Sequence, residues 1–250
     1  MRNGEGVSLH GRSRSCYIVA RAIRWMLAIV VPFFIRIGRI RVIGHGRLMA
    51  AAKNGRTMIS TNHPSLLAET LLLGALVAPL YLRDTRRALW TMPDVRLLNA
   101  WHMPEGLRRE LHCIVTDRRS SIRSGRAAIE AIHVLENGGT LVTHPEQGRT
   151  FGEANVREGR PLIKRNGRIM RDIGRSDVLK IAARAGVHIL PGWIDVPYVR
   201  EALSLPRCIW RLFTRNEVIT ISFREPPYFI EHPFDFELEN KRLQDKIFNA

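Results

Sequence analysis

From residue 39 onward, short apolar runs of strand length alternate with longer segments of helical periodicity. That alternation restricts the fold more than any other feature. "RIRVIG" (39–44), "RTMISTN" (56–62), "RRALWTM" (86–92), "HCIVTD" (112–117), "TLVT" (140–143), "VHILPGWIDV" (187–196) and "EVITISFREP" (217–226) read as strands. Between them, "GRLMAAAKNG" reads as a short helix or turn, and "PSLLAETLLLGALVAPLYL" as a helix beginning at Pro64, a favoured first-turn residue. "SSIRSGRAAIEAIHVLENGG" is a helix stopped by Gly138-Gly139, "SDVLKIAARAG" one capped by Ser176 and Asp177, and "FELENKRLQDKIFNA" a C-terminal helix. Strand–helix alternation predicts an α/β fold, a mostly parallel central sheet flanked by helices. Sites in such sheets form at the carboxyl ends of strands. Three polar clusters fall there: Asn62-His63, Thr116-Asp117-Arg118, and His144 to Thr150.

A chain of 250 residues with 45% hydrophobic content is long and apolar enough for one large domain or two small ones, each with a real core. The charge is lopsided, 39 basic against 23 acidic residues, net +16, so an anionic partner is expected: nucleic acid, an anionic membrane surface or phosphate-bearing small molecules. The stretch from Arg157 to Arg175 carries seven basic and two acidic residues and reads as an exposed basic loop. No helix-turn-helix, zinc-finger or aromatic-rich RNA-binding motif is visible, which argues against nucleic acid. Cys16, Cys113 and Cys208 are far apart with no Cys-x-x-Cys spacing, so neither a disulfide framework nor a zinc site is indicated, and no metal is expected.

Residues 1–15 are polar, and residues 17–37 read as a helix with Pro32 as a point of kinking or breakage. Its uncharged core, Trp25 to Ile35, is too short to span a hydrocarbon layer, which takes about 20 helical residues. Arg21, Arg24, Arg36, Arg39 and Arg41 bracket the run, the pattern of a helix lying in a membrane interface, with Trp25 as a headgroup-level anchor. A helix buried on the core is the competing reading. The expected division is a flexible tail and membrane-interfacial helix over 1–38 and a second unit over 39–250.

The three polar clusters, in their order, resemble the motifs of the glycerolipid acyltransferases, the family that includes the 1-acylglycerol-3-phosphate acyltransferases. The first family motif, Asn-His followed by four residues and an acid, corresponds to Asn62-His63-Pro64-Ser65-Leu66-Leu67 and then Ala68-Glu69. An apolar strand ending in a basic residue corresponds to Ile114-Val115-Thr116-Asp117-Arg118. The Pro-Glu-Gly motif corresponds to Pro145-Glu146-Gln147-Gly148-Arg149-Thr150, and an apolar strand with a proline to Ile189-Leu190-Pro191-Gly192-Trp193-Ile194. The resemblance spans roughly residues 40–200. It implies that residues 39–250 are an acyltransferase domain moving a fatty acyl group from acyl-CoA or acyl-carrier protein to the hydroxyl of a lysophospholipid, 1-acylglycerol-3-phosphate foremost.

The chemistry asks for these residue types. Acyl transfer from a thioester to an alcohol needs a base for the hydroxyl proton, and histidine suits neutral pH. A carboxylate fixes the imidazole tautomer and stabilises the imidazolium. The resemblance makes His63 the base and Glu69 its partner, places Arg118 and Arg149 on the acceptor phosphate, and gives Glu146 to acceptor binding or site organisation. Gly148 lets backbone approach the substrate, and Thr150 closes the motif. No cofactor beyond the thioester cosubstrate is implied. The implied partners are anionic membrane lipid, the lysophospholipid and the acyl donor, at the cytoplasmic membrane face as a peripheral or monotopic protein.

The departures are specific. The family's acid position is Ala68 here, and Glu69 stands one residue later, a rotation of about 100° on a continuous helix. Asp84, Asp117 and Glu105 are therefore alternative partners for His63. Gln147 replaces a glycine, and His144 replaces an aromatic or aliphatic residue, with a structural, substrate-lining or second catalytic role open to it. The altered first motif keeps two further readings: acylation of an amino-lipid or glycolipid precursor, and a catalytically inactive lipid-binding relative.

Overall fold

The structure, a computed structural model, describes residues 14–64, 68–100, 102–117, 119–146, 161–173, 177–196, 210, 214, 217–231 and 233–250. Its centre is a six-stranded sheet of β1 (Ile40–Ile43), β2 (Thr57–Thr61), β3 (Leu89–Thr91), β4 (Thr140–Thr143), β7 (His188–Asp195) and β8 (Ile219–Ser222), in the order β1-β8-β7-β2-β4-β3. β3, β4, β2 and β7 run parallel, β7 and β8 are antiparallel, and β1 is parallel to β8. The expected mostly parallel α/β sheet is present, with six of the seven sequence runs forming its strands. "HCIVTD" is reduced to isolated bridges, Thr91 with Cys113 at the end of β3 and Asp94 with Thr116 past it.

Helices cover both faces, so the inner strands are apolar on both sides rather than alternating. All five residues of β2 are buried. Ile59, Val142, Leu190 and Ile221 pack beneath α1 (Arg14–Arg36), α2 (His45–Asn54), α3 (Ala68–Leu76) and α4 (Ala78–Tyr81). Met58, Leu141, Ile189 and Trp193 face α7 (Ser121–Glu136), α8 (Asp177–Ala185) and α9 (Phe236–Asn249) on the other side. The short helices α5 (Val95–Ala100) and α6 (Glu105–Glu110) lie between β3 and α7 in sequence. The turns that lead into β2 and β4 touch backbone to backbone: Gly55, at φ 68°, leaves no room for a Cβ, which would sit 1.9 Å from the Gly138 carbonyl oxygen.

α1 is one continuous helix through Pro32 and runs three residues further towards the N-terminus than expected. At 23 residues it is long and apolar enough to cross a membrane, by length and composition. One face is packed. Ala20, Val31 and Phe34 are buried, and the helix contacts α3, α4, α6 and β1. The Arg24 guanidinium bonds the Glu110 carbonyl and, at 2.6 Å, His112 Nδ1, and it lies over the Tyr81 ring. The opposite face exposes Ile18, Trp25, Met26, Ile29 and Phe33. The helix is therefore packed on the core along one face and presents an apolar stripe along the other.

Where it is described, the basic stretch is a hairpin rather than a loop, exposed along its first strand and the turn and buried at the end of its second strand. Residues 162–171 form a hairpin of β5 (Leu162–Arg165) and β6 (Arg168–Arg171) around Asn166-Gly167, both at positive φ. That dipeptide is the strongest short hairpin signal a sequence carries. The arginines pack against protein: Arg165 pairs with Asp245 and Arg168 bonds the Phe248 carbonyl, their guanidiniums lying over the rings of Phe248 and Trp193. Arg171 is buried.

Candidate active site

The site forms where β2 and β4 end side by side. Their register pairs Ser60 with Thr143, so the next residues of each strand bring Asn62-His63 and His144 together at the carboxyl edge of the sheet. Space there is tight: a Cβ on Gly192, the partner of Thr61 on β7, would lie 2.5 Å from the Phe223 ring and 2.9 Å from Thr61 Cγ2.

Asn62 fixes the exit of the chain from β2. Its amide nitrogen donates to the Ile194 carbonyl at 2.8 Å, and its amide oxygen accepts from the Ile194 N–H at 2.7 Å. Both partners are buried, so these two bonds satisfy backbone groups of β7 that water does not reach. The next residue is held as firmly. The His63 backbone N–H donates to Glu146 Oε1 at 2.6 Å, and the Arg171 backbone N–H donates to Glu146 Oε2 at 2.7 Å. Glu146 is fully buried. A carboxylate in that position is stabilised by N–H donors. It ties the segment carrying His63 to the β5–β6 hairpin.

The His63 imidazole is 17% exposed, and the Glu69 side chain is 1% exposed. Nδ1 of His63 lies 3.4 Å from Oε1 of Glu69. A carboxylate accepts, so this contact places the ring hydrogen on Nδ1 and leaves the lone pair on Nε2. The distance is long for an N–H···O bond, and catalytic hydrogen bonds of this kind commonly shorten in the substrate complex. The one-residue displacement of the acid is absorbed because Pro64 lies outside α3, so His63 and Glu69 do not share a continuous helix. Glu69 sits in the first turn of α3, directed back at the strand end. The alternative acids are engaged elsewhere: Asp84 with Arg86 and Arg87, Asp117 with Arg123, Glu105 with Arg109.

His144 stacks on His63, the ring centroids 4.5 Å apart and the planes 10° from parallel. Its Nδ1 lies 3.1 Å from Thr61 Oγ1 and 3.4 Å from the Thr61 carbonyl, which requires the hydrogen on Nδ1. Burial pushes the His144 pKa down from 6.5 to about 4, helped by the charge His63 acquires on protonation, with Glu69 and the backbone of Thr61 and Asn62 opposing. His144 is therefore neutral at physiological pH.

Thr61, Asn62 and His144 are the residues that motif reading left without a defined task. The Asn before the His and the register of two adjacent strand ends are the signals that point to them. Arg118, Gly148, Arg149 and Thr150 lie outside the described residues. Among the described residues, no group of three or more His, Cys, Asp or Glu side chains is placed to hold a metal ion.

A crystal structure of the 1-acyl-sn-glycerophosphate (LPA) acyltransferase PlsC from Thermotoga maritima shares this fold, with a TM-score of 0.56 and 17% sequence identity over 96% of this chain and 81% of that one. No family model matches the chain, and no curated protein matches its sequence.

Proposed function

We propose that this protein is an O-acyltransferase that moves a fatty acyl group from a thioester donor, acyl-CoA or acyl-carrier protein, to the hydroxyl of a lysophospholipid, with 1-acylglycerol-3-phosphate as acceptor. The observation that carries the reading is the contact of His63 Nδ1 with the buried Glu69 carboxylate at the carboxyl end of β2. The fold shared with a lysophosphatidate acyltransferase supports it.

In this reading the acceptor hydroxyl gives its proton to His63 Nε2 as its oxygen attacks the thioester carbonyl carbon. Glu69 stabilises the imidazolium that results. The tetrahedral intermediate then collapses, the C–S bond breaks, and the departing sulfur takes the proton back from Nε2. The products are the ester and a free thiol, and His63 is neutral again. No enzyme nucleophile and no cofactor enters the balance. Glu146 and Asn62 hold the backbone that aims His63. Arg118 and Arg149 serve the acceptor phosphate as bidentate donors, and Gly148 and Thr150 belong with them to the acceptor-binding set that the motifs imply.

The net charge of +16 suits anionic lipid and phosphate-bearing substrates. α1 packs directly on α3, the helix that bears Glu69, and turns its stripe of Ile18, Trp25, Met26, Ile29 and Phe33 outward. That stripe supports a peripheral or monotopic placement with the stripe in the lipid, at the cytoplasmic face in this reading. The departures at Ala68 and Gln147 favour one second reading, an acceptor other than 1-acylglycerol-3-phosphate, such as an amino-lipid or glycolipid precursor. Purified protein with anionic liposomes and labelled acyl-CoA or acyl-carrier protein, offered lysophosphatidate beside neutral and amino lysolipids, tests both. Label in phosphatidate supports the first reading, label in another product the second, and no labelled ester from any acceptor overturns both.

A further inference from the structure

We propose that His144 is a positioning residue for the base: a neutral imidazole, tied to Thr61, that serves as the flat platform against which the His63 ring is held towards Glu69. The inference rests on the reading of His63 as the base.

The geometry is specific. A packing residue in this position would need only to fill volume, and any large side chain would do. Instead the two rings are nearly parallel at 4.5 Å, and the lower ring is prevented from rotating by Nδ1–H contacts to Thr61 Oγ1 and O at 3.1 and 3.4 Å. Two further restraints on His63 are seen among the described residues. The bond from its own backbone to Glu146 fixes the main chain, and the long Nδ1 contact to Glu69 fixes one edge. A parallel neighbour removes the remaining freedom, rotation about the Cβ–Cγ bond, which would turn Nδ1 away from the carboxylate. Misplacing a catalytic group in this way lowers rate without changing substrate affinity.

Neutrality is part of the design. Among the described residues the ionisable groups facing His144 are His63 and Glu69, and burial holds His144 uncharged well below neutral pH. When His63 takes a proton, a neutral aromatic face lies beneath the new cation, an attractive arrangement, whereas a charged neighbour would oppose it.

The test compares His144→Phe, which keeps a flat ring, with His144→Ala, which does not, by 15N chemical shifts of the His63 ring and by steady-state kinetics. His144→Ala is expected to mix the Nδ1–H and Nε2–H tautomers of His63 and to lower kcat about tenfold at unchanged acceptor KM, while His144→Phe restores the Nδ1–H tautomer and most of kcat. If His144→Ala does not fold, His144→Leu, which fills the space without a flat face, carries the same comparison. A folded Ala or Leu variant with wild-type His63 shifts and wild-type kcat overturns the proposal. Wild-type protein that transfers no acyl group defeats the reading of His63 as the base, and the tautomer measurement still decides what His144 does.

Discussion

Nδ1 of His63 and Oε1 of Glu69 lie 3.4 Å apart although the acid stands one residue beyond the position the family motif gives it. Glu69→Gln keeps the shape of the pair and removes the charge that stabilises the imidazolium. Turnover is expected to fall about 10²-fold or more, with acceptor KM little changed. Steady-state kinetics on the variant checks this, and a near-wild-type kcat means that Glu69 does not serve the base.

The clasp between Asn62 and Ile194 concerns stability before chemistry. Asn62→Ala leaves a buried N–H and a buried carbonyl on β7 without their partner and frees the chain just ahead of His63. The expected loss is about 2–4 kcal/mol of folding stability, read from urea denaturation at pH 7.5, together with a lowered kcat.

His144 makes folding stability sensitive to mild acid. Its folded-state pKa of about 4 lies below the unfolded value of 6.5, so the unfolded chain binds more protons between those limits. Stability is complete above pH 6.5 and is lost as pH falls through 6.5 towards 4. The contribution at this site is on the order of 3 kcal/mol. His144→Phe is expected to remove that part of the acid sensitivity, so urea midpoints of wild type and variant diverge between pH 7 and pH 4.5, the variant losing less. Parallel curves for the two proteins contradict the assignment of a neutral His144.

The outward face of α1 is expected to govern lipid binding without supporting the fold. Ile29 and Phe33 are 66% and 48% exposed. Replacing both with Asp is expected to change thermal stability little, since exposed positions seldom matter by more than about 0.5 kcal/mol. Co-sedimentation with anionic vesicles is expected to fall at least tenfold. Unchanged sedimentation places the lipid contact elsewhere.

Most of this architecture was legible in the sequence because its signals are local. Alternating strand and helix periods, the Gly138-Gly139 stop and the strand-end polar clusters each act within a few residues, and together they fixed the α/β sheet and put His63 at its carboxyl edge. Two elements were misjudged for different reasons. The β5–β6 hairpin was obscured by its arginines, which satisfy themselves against Asp245, the Phe248 carbonyl and the Trp193 ring, all distant in sequence. Asn166-Gly167 was nevertheless a visible turn signal. "HCIVTD" has the apolar content of a strand, but only two of its residues find bridge partners, Thr91 at the end of β3 and Asp94 past it. In the site, the motif order located His63 and Glu69. It does not reveal that Glu146 accepts from two backbone N–H groups, because the Arg171 N–H arrives from a hairpin distant in sequence. The stacking of His144 on His63 likewise depends on the register of β2 against β4, a long-range property no single segment carries.

The central claim, that His63 is the base of an acyl transfer, is tested most directly by one comparison. Wild type and His63→Ala are assayed for phosphatidate formation from lysophosphatidate and a labelled acyl thioester in anionic liposomes, with folding of both checked by circular dichroism. The account expects label in phosphatidate with wild type, and at least a 10³-fold loss in the folded variant, in line with removal of a general base. Undiminished transfer by folded His63→Ala contradicts it.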